Sequence, residues 1–165
     1  MYFLFVSAFA HGQISGVHIG VNGLTCSQCT RNVEMSLRKL SFVQDVKMDL
    51  QHTDGTITLR SGTRFDANAV SKAVKAAGFS LRFLKANMDI ASVPPSDKGC
   101  FLLNGDSYQI VPMAAANNAG NESVQFIGEG FLPPYELKKW KPQLIRTCFT
   151  KSSTHYFITL QTDRK

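Results

Sequence analysis

The chain has no apolar run long enough to cross a bilayer as a helix, which takes about 20 residues. Its most apolar stretch, Tyr2–Ala10, covers only nine. No dense Lys/Arg cluster with interleaved aromatics occurs, so the usual footprint of a nucleic-acid binder is missing. No Ser-His-Asp arrangement, phosphate-cradling loop or paired-acid motif stands out, and no catalytic role is read. Internal repeats and low-complexity segments are absent too. Cysteine is scarce, at four in 165 residues. Charge is sparse: 18 % of residues carry it, against 44 % hydrophobic, a balance that folds rather than stays disordered.

The net charge of +6 is uneven. Residues 13–88 hold ten Lys/Arg against five Asp/Glu, whereas residues 89–165 hold eight against seven. The basic surface therefore belongs to the first half, where it suits docking onto an acidic protein. Residues 1–12 read as an export signal or an N-terminal tail. Residues 2–10 resemble the apolar core of a secretory signal, and Ala8-Phe9-Ala10 is a small-x-small cleavage pattern. The Lys or Arg that normally precedes such a core is missing, and Tyr, Phe and Val would equally suit a buried first strand. With a signal, the expected location is periplasmic or secreted; without one, cytoplasmic.

From Ile14 the pattern becomes legible. Val17, Ile19 and Val21 alternate with His18 and Gly20, the period of a half-buried strand. Ser27 to Leu40 has Val33, Leu37 and Leu40 at helical spacing. Val46, Met48 and Leu50 alternate as a second strand. His52-Thr-Asp-Gly55 carries an Asp-Gly hairpin signal, and Thr56–Arg60 returns as a third strand. Asp66 is the expected N-cap of a helix through Ala77, stopped by Gly78, and Phe79–Lys85 is a fourth strand. The order β-α-β-β-α-β is the ferredoxin-like, split βαβ arrangement. The expected fold class is α+β: this domain over residues 13–88, a linker at 89–98, and a small mainly-β domain, a sandwich or barrel, at 99–165. In the second part Cys100–Leu103, Tyr108–Val111, Ser123–Ile127, Leu144–Phe149 and His155–Leu160 are expected strands, and Tyr135–Lys141 a short helix holding one buried ring, Trp140.

Cys26 and Cys29 stand where the first strand ends and the first helix begins. Unpaired N–H groups and the dipole at a helix N-terminus favour thiolate. Paired thiolates select soft ions such as Cu(I) or Zn(II), and with no His or carboxylate nearby in sequence, a closed four-ligand zinc site is not available from the loop alone. The spacing leaves two other chemistries open: a plain disulfide, and a redox pair.

Gly23-Leu-Thr-Cys-Ser-Gln-Cys29, Val33-Glu34, Leu37, Val46 and Ala77-Gly-Phe79 closely resemble the heavy-metal-associated domain family, whose pattern is G-M-T-C-x-x-C on a βαββαβ fold. The resemblance covers roughly residues 14–88. It implies soft-metal binding through Cys26 and Cys29, with Cu(I) first and Zn(II), Hg(II) or Cd(II) as alternatives. It also implies a metal-donor or metal-acceptor partner such as a P-type ATPase. Leu24 stands where the family has Met, and Ala76-Ala-Gly-Phe79 follows the ATPase domains rather than the chaperones, which commonly carry Lys there.

Other candidates are weaker. His18 reads as a solvated side chain, and Met35 and Met48 as packing residues. Cys100 and Cys148 read as a disulfide closing a 49-residue loop, worth a few kcal/mol, with a second soft-metal site with Met113 or His155 as the alternative. The expected function is soft-metal binding for transfer or sequestration in the cell envelope. An interaction module with a lapsed, disulfide-bonded site and a thiol-disulfide oxidoreductase are the alternatives.

Overall fold

A computed structural model describes residues 14–93, 95–96, 98–112, 121–148 and 154–161. The apolar residues 1–12 and Met113 lie outside the described residues. A nine-residue strand, a helix, two more strands, a second helix and a fourth strand set up the first half: β1 (Ile14–Asn22), α1 (Ser27–Arg38), β2 (Val43–Asp49), β3 (Asp54–Leu59), α2 (Ala67–Ala76) and β4 (Ser80–Asp89). These strands lie in the order β2-β3-β1-β4, each pair antiparallel, which is the expected ferredoxin-like topology. Asp66 caps α2 as expected, its carboxylate accepting the Ala69 N–H at 3.0 Å. Gly78 ends it at φ +93°, a conformation that side-chain-bearing residues avoid.

The hairpin between β2 and β3 differs from expectation. The chain turns over Leu50–Thr53, not at Asp54-Gly55, which already belong to β3 and pair with Asp49 and Met48. The Asp49 carboxylate supplies the reason: it accepts the N–H of Gln51 at 2.8 Å and of His52 at 3.3 Å, closing the turn early. Gly55 is required for packing instead. A Cβ there would collide with Met48 Sδ and stand 2.9 Å from the Lys47 carbonyl.

The second half adds β5 (Cys100–Leu103), β6 (Asp106–Ile110), β7 (Asn121–Ile127), α3 (Pro134–Trp140) and β8 (His155–Gln161). These strands do not close into a sandwich or barrel of their own. They continue the first sheet, β7 pairing antiparallel with the edge of β4, to give the order β2-β3-β1-β4-β7-β8-β6-β5. A free edge on β4 would be an aggregation hazard, and β7 covers it. Leu144–Cys148, expected as strand, is irregular. Its backbone is satisfied by one side chain: Gln109 donates to the Ile145 carbonyl at 2.9 Å and accepts from the Thr147 N–H at 3.1 Å. Cys148 is bonded to Cys100, as expected, with their Cα atoms 5.8 Å apart.

One core runs through both halves on the helical face. Val17 and Ile19 of β1, Val33 and Leu37 of α1, and Val70 and Val74 of α2 share it with Tyr108, Phe126, Tyr156 and Ile158. Phe126, fully buried, meets the rings of Phe65, Tyr108, Phe131 and Tyr156, with centroids 5.5–6.4 Å apart. A smaller cluster on the other face packs Ile127, Val111 and Leu132 beneath Leu137 and a half-buried Trp140. Ile127 follows Phe126 along β7, so the two clusters take opposite faces of one strand. The sheet curls: Arg64, after β3, is ion-paired with the buried Asp106 at the start of β6, although four strands separate β3 from β6 in the sheet. The Tyr156 hydroxyl donates to Asp66 at 3.3 Å, and Ser71 donates to the Gly130 carbonyl at 2.8 Å.

Candidate metal centre

The site begins with Gly23, at φ +86°, which lets the chain leave β1 sharply; a Cβ there would stand 3.7 Å from the Phe79 ring of the neighbouring loop. Leu24 then turns inward and is buried, filling the core beneath the loop. Cys26 takes an extended conformation (φ −151°, ψ 157°) and is the N-cap of α1. Its Sγ accepts the N–H of Cys29 at 3.2 Å, and its carbonyl accepts from Cys29 and Thr30. A sulfur thus takes the place of the oxygen that usually satisfies the first free N–H groups of a helix. No acidic residue sits in that first turn, so nothing there competes with thiolate charge.

The two cysteines differ. Cys26 is exposed, whereas Cys29 is half-buried against the core. Their Cα atoms are 5.2 Å apart and their sulfurs are bonded to each other. Reduction would free two thiolates whose N-cap and helix positions already hold them side by side. Among the described residues no group of three or more His, Cys, Asp or Glu could hold a metal, so the pair has no third protein ligand there.

The other candidate ligands are placed elsewhere. His18 lies 3.4 Å from Asp54 and edge-on to Phe83 in mid-sheet, partly solvated as expected. Met48 packs half-buried against the core, but Met35 is 52 % exposed, contrary to its reading as a packing residue. His155 Nδ1 lies 3.1 Å from Ser107 Oγ, its Nε2 has no partner among the described residues, and burial lowers its pKa. The Cys100 and Cys148 sulfurs are spent on each other. Sequence reasoning missed the tie that orients α1 on the sheet, in which Glu34 accepts the Met48 N–H at 3.1 Å; no local spacing signals a contact between a helix and the following strand.

With this geometry in place, residues 19–80 match the family model of the heavy-metal-associated domain. The chain is 35 % identical over 79 residues to copper-transporting ATPase 1 of Rhizobium meliloti (strain 1021), a match over 48 % of this chain and 9 % of that protein. It is 34 % identical over 73 residues to copper-transporting ATPase 2 of the same organism, over 44 % and 9 %. The chain thus spans about a tenth of the length of these relatives. Among solved structures, the N-terminal domain of ZntA in its apo form is 26 % identical, with a TM-score of 0.38, over 42 % of this chain and 92 % of that one. Residues 19–80 are therefore a heavy-metal-associated domain, and the cysteine pair lies within it.

Proposed function

We propose that the heavy-metal-associated domain of this chain captures Cu(I) through Cys26 and Cys29 and exchanges it with a partner of the P-type ATPase kind. The observation that carries this reading is the cysteine pair at the start of α1, with Cys26 exposed as its N-cap, on a βαββαβ unit. Two thiolates suit a soft monovalent ion of low coordination number. Before binding, the disulfide must take two electrons and two protons from a thiol donor. Cu(I) then binds both sulfurs as the protons leave. Cys26, being exposed, is the sulfur that meets an incoming thiolate, and Cys29, packed against the core, holds the ion meanwhile. The matched relatives are copper-transporting ATPases, which supports both the ion and the partner class. The reading includes a location in the cell envelope, motivated by the apolar residues 2–10.

Titration with Cu(I) against a competing chelator, under a reductant, tests the proposal. Wild type should withdraw copper from the chelator, and the double variant Cys26→Ser, Cys29→Ser should not. Equal binding by the two proteins would sink it. The sulfur–sulfur bond favours a second reading, an interaction module whose site has lapsed. Counting free thiols on protein purified from its own compartment separates them: thiols at Cys26 and Cys29 support metal exchange, and blocked ones the lapsed site.

A further inference from the structure

The curl of the sheet creates a feature that neither half of the chain has alone. A groove of about 760 Å³ lies between the start of β1, the loop after β3 and the turn between β5 and β6. That is the size of a small-molecule site, and such sites favour junctions between structural units. The loop, Arg60-Ser-Gly-Thr-Arg64, is anchored at both ends: the Arg60 N–H donates to the Phe42 carbonyl at 2.9 Å, and Arg64 is held by Asp106. The β5–β6 turn is a two-residue Asn104-Gly105 turn with both φ angles positive (+52° and +84°). It delivers Asn104 into the groove wall from the second half of the chain.

The charged residues of the lining have one sign, and they stand beside the apolar Ile57, Leu59 and Phe65. Arg60, Arg64 and Asn104 join the hydroxyls of Thr56, Thr58 and Ser61, and no carboxylate lines the groove. The Arg60 guanidinium makes no hydrogen bond or ion pair with the described residues, although it is exposed at the rim. Arginine forks match the oxygens of phosphate, and hydroxyls and amides complete such a shell.

We infer that this groove binds a phosphate monoester, with Arg60 as its principal charged contact and Asn104 as the contribution of the second half. The metal loop lies at the opposite end of β1. Asn22 is six residue steps along the strand from Gly16, about 20 Å at the usual rise of a strand. The two sites can therefore be filled independently, and a failure here leaves the metal reading untouched.

The test uses the full chain at low salt, titrated with phenyl phosphate and, separately, sedimented with phosphatidic-acid vesicles, which offer the same headgroup chemistry on a lipid surface. Amide resonances of residues 60–64 and of Asn104 should shift with phenyl phosphate. Arg60→Gln should weaken binding roughly tenfold or more, the weight of one charge-assisted contact, while Arg82→Gln, a cation remote from the groove, should leave it unchanged. Cu(I) affinity should be the same in all three proteins. Binding of either probe through Arg60 upholds the inference, and which probe binds tells a soluble ligand from a lipid. Binding of neither probe, equal binding by Arg60→Gln, or equal loss in Arg82→Gln would overturn it.

Discussion

Truncating Phe126 to Ala tests whether the two halves fold as one body. The ring is fully buried and touches Phe65 from the first half as well as Tyr108, Phe131 and Tyr156 from the second. Removing it deletes apolar transfer energy and leaves a cavity walled by large, mutually braced rings that cannot easily collapse. Such truncations cost about 3–5 kcal/mol. A protein of this size has a total stability of about 5–15 kcal/mol, so the loss is a large share. With a urea slope of about 1–3 kcal/mol per molar, the unfolding midpoint should fall by roughly 2 M. Trp140, the chain's one tryptophan, reports on the second half by fluorescence. Amide exchange at Val33 and Leu37 of α1 reports on the first. Because one core joins both, the two probes should lose the same free energy, with Cys100–Cys148 kept oxidised throughout. If the Trp140 transition moves while α1 keeps wild-type protection, the shared core is wrong and the halves are separate domains.

Two further outcomes follow from local geometry. Gly55→Ala should destabilise by about 1–3 kcal/mol through overpacking, and Met48→Ala in the same background should recover only part of this, because the Lys47 carbonyl stays 2.9 Å from the added Cβ; full recovery, seen in urea midpoints, would show that the backbone contact is harmless. Burial, reinforced by Arg146, lowers the pKa of His155. The unfolded chain therefore takes up a proton near pH 6.5 that the folded chain resists, so stability is full above that pH and falls as pH drops toward the folded-state value. His52 has the opposite sign: Asp49 raises its pKa, so its contribution is present at low pH and lost as pH rises through the raised value. The difference between wild type and His155→Gln in midpoints at pH 7 and pH 5 isolates the first effect, and identical pH dependence in the two would refute it.

The first half was legible because its determinants are local. Alternation along β1, the Val33 and Leu37 stripe of α1 and the Asp66 cap each lie within a few residues, and the cysteine pair is three residues apart at a strand–helix junction. The hairpin was misplaced because an Asp-Gly pair signals a turn only when no stronger one precedes it, and Asp49 supplies a stronger one. Leu144–Cys148 has strand-like composition, yet the partner that satisfies its backbone is the side chain of Gln109, about 36 residues earlier. The single sheet was hidden for the same reason. Nothing near Arg64 in sequence announces Asp106, and the groove gathers residues from three separated stretches.

The way the second half is attached also bears on how the metal site could work. Contacts between the halves gather at the β4 edge, at the loop after β3 and along α2 through Asp66, Asn68 and Ser71. The cysteine loop follows the far end of β1, beside the Phe79 loop that leads into β4. Among the described residues no hydrogen bond or ion pair from the second half reaches that end. On the function proposed above, this placement leaves Cys26 exposed to an incoming thiolate. The second half can therefore brace the domain, and close a groove with it, without covering the exposed sulfur.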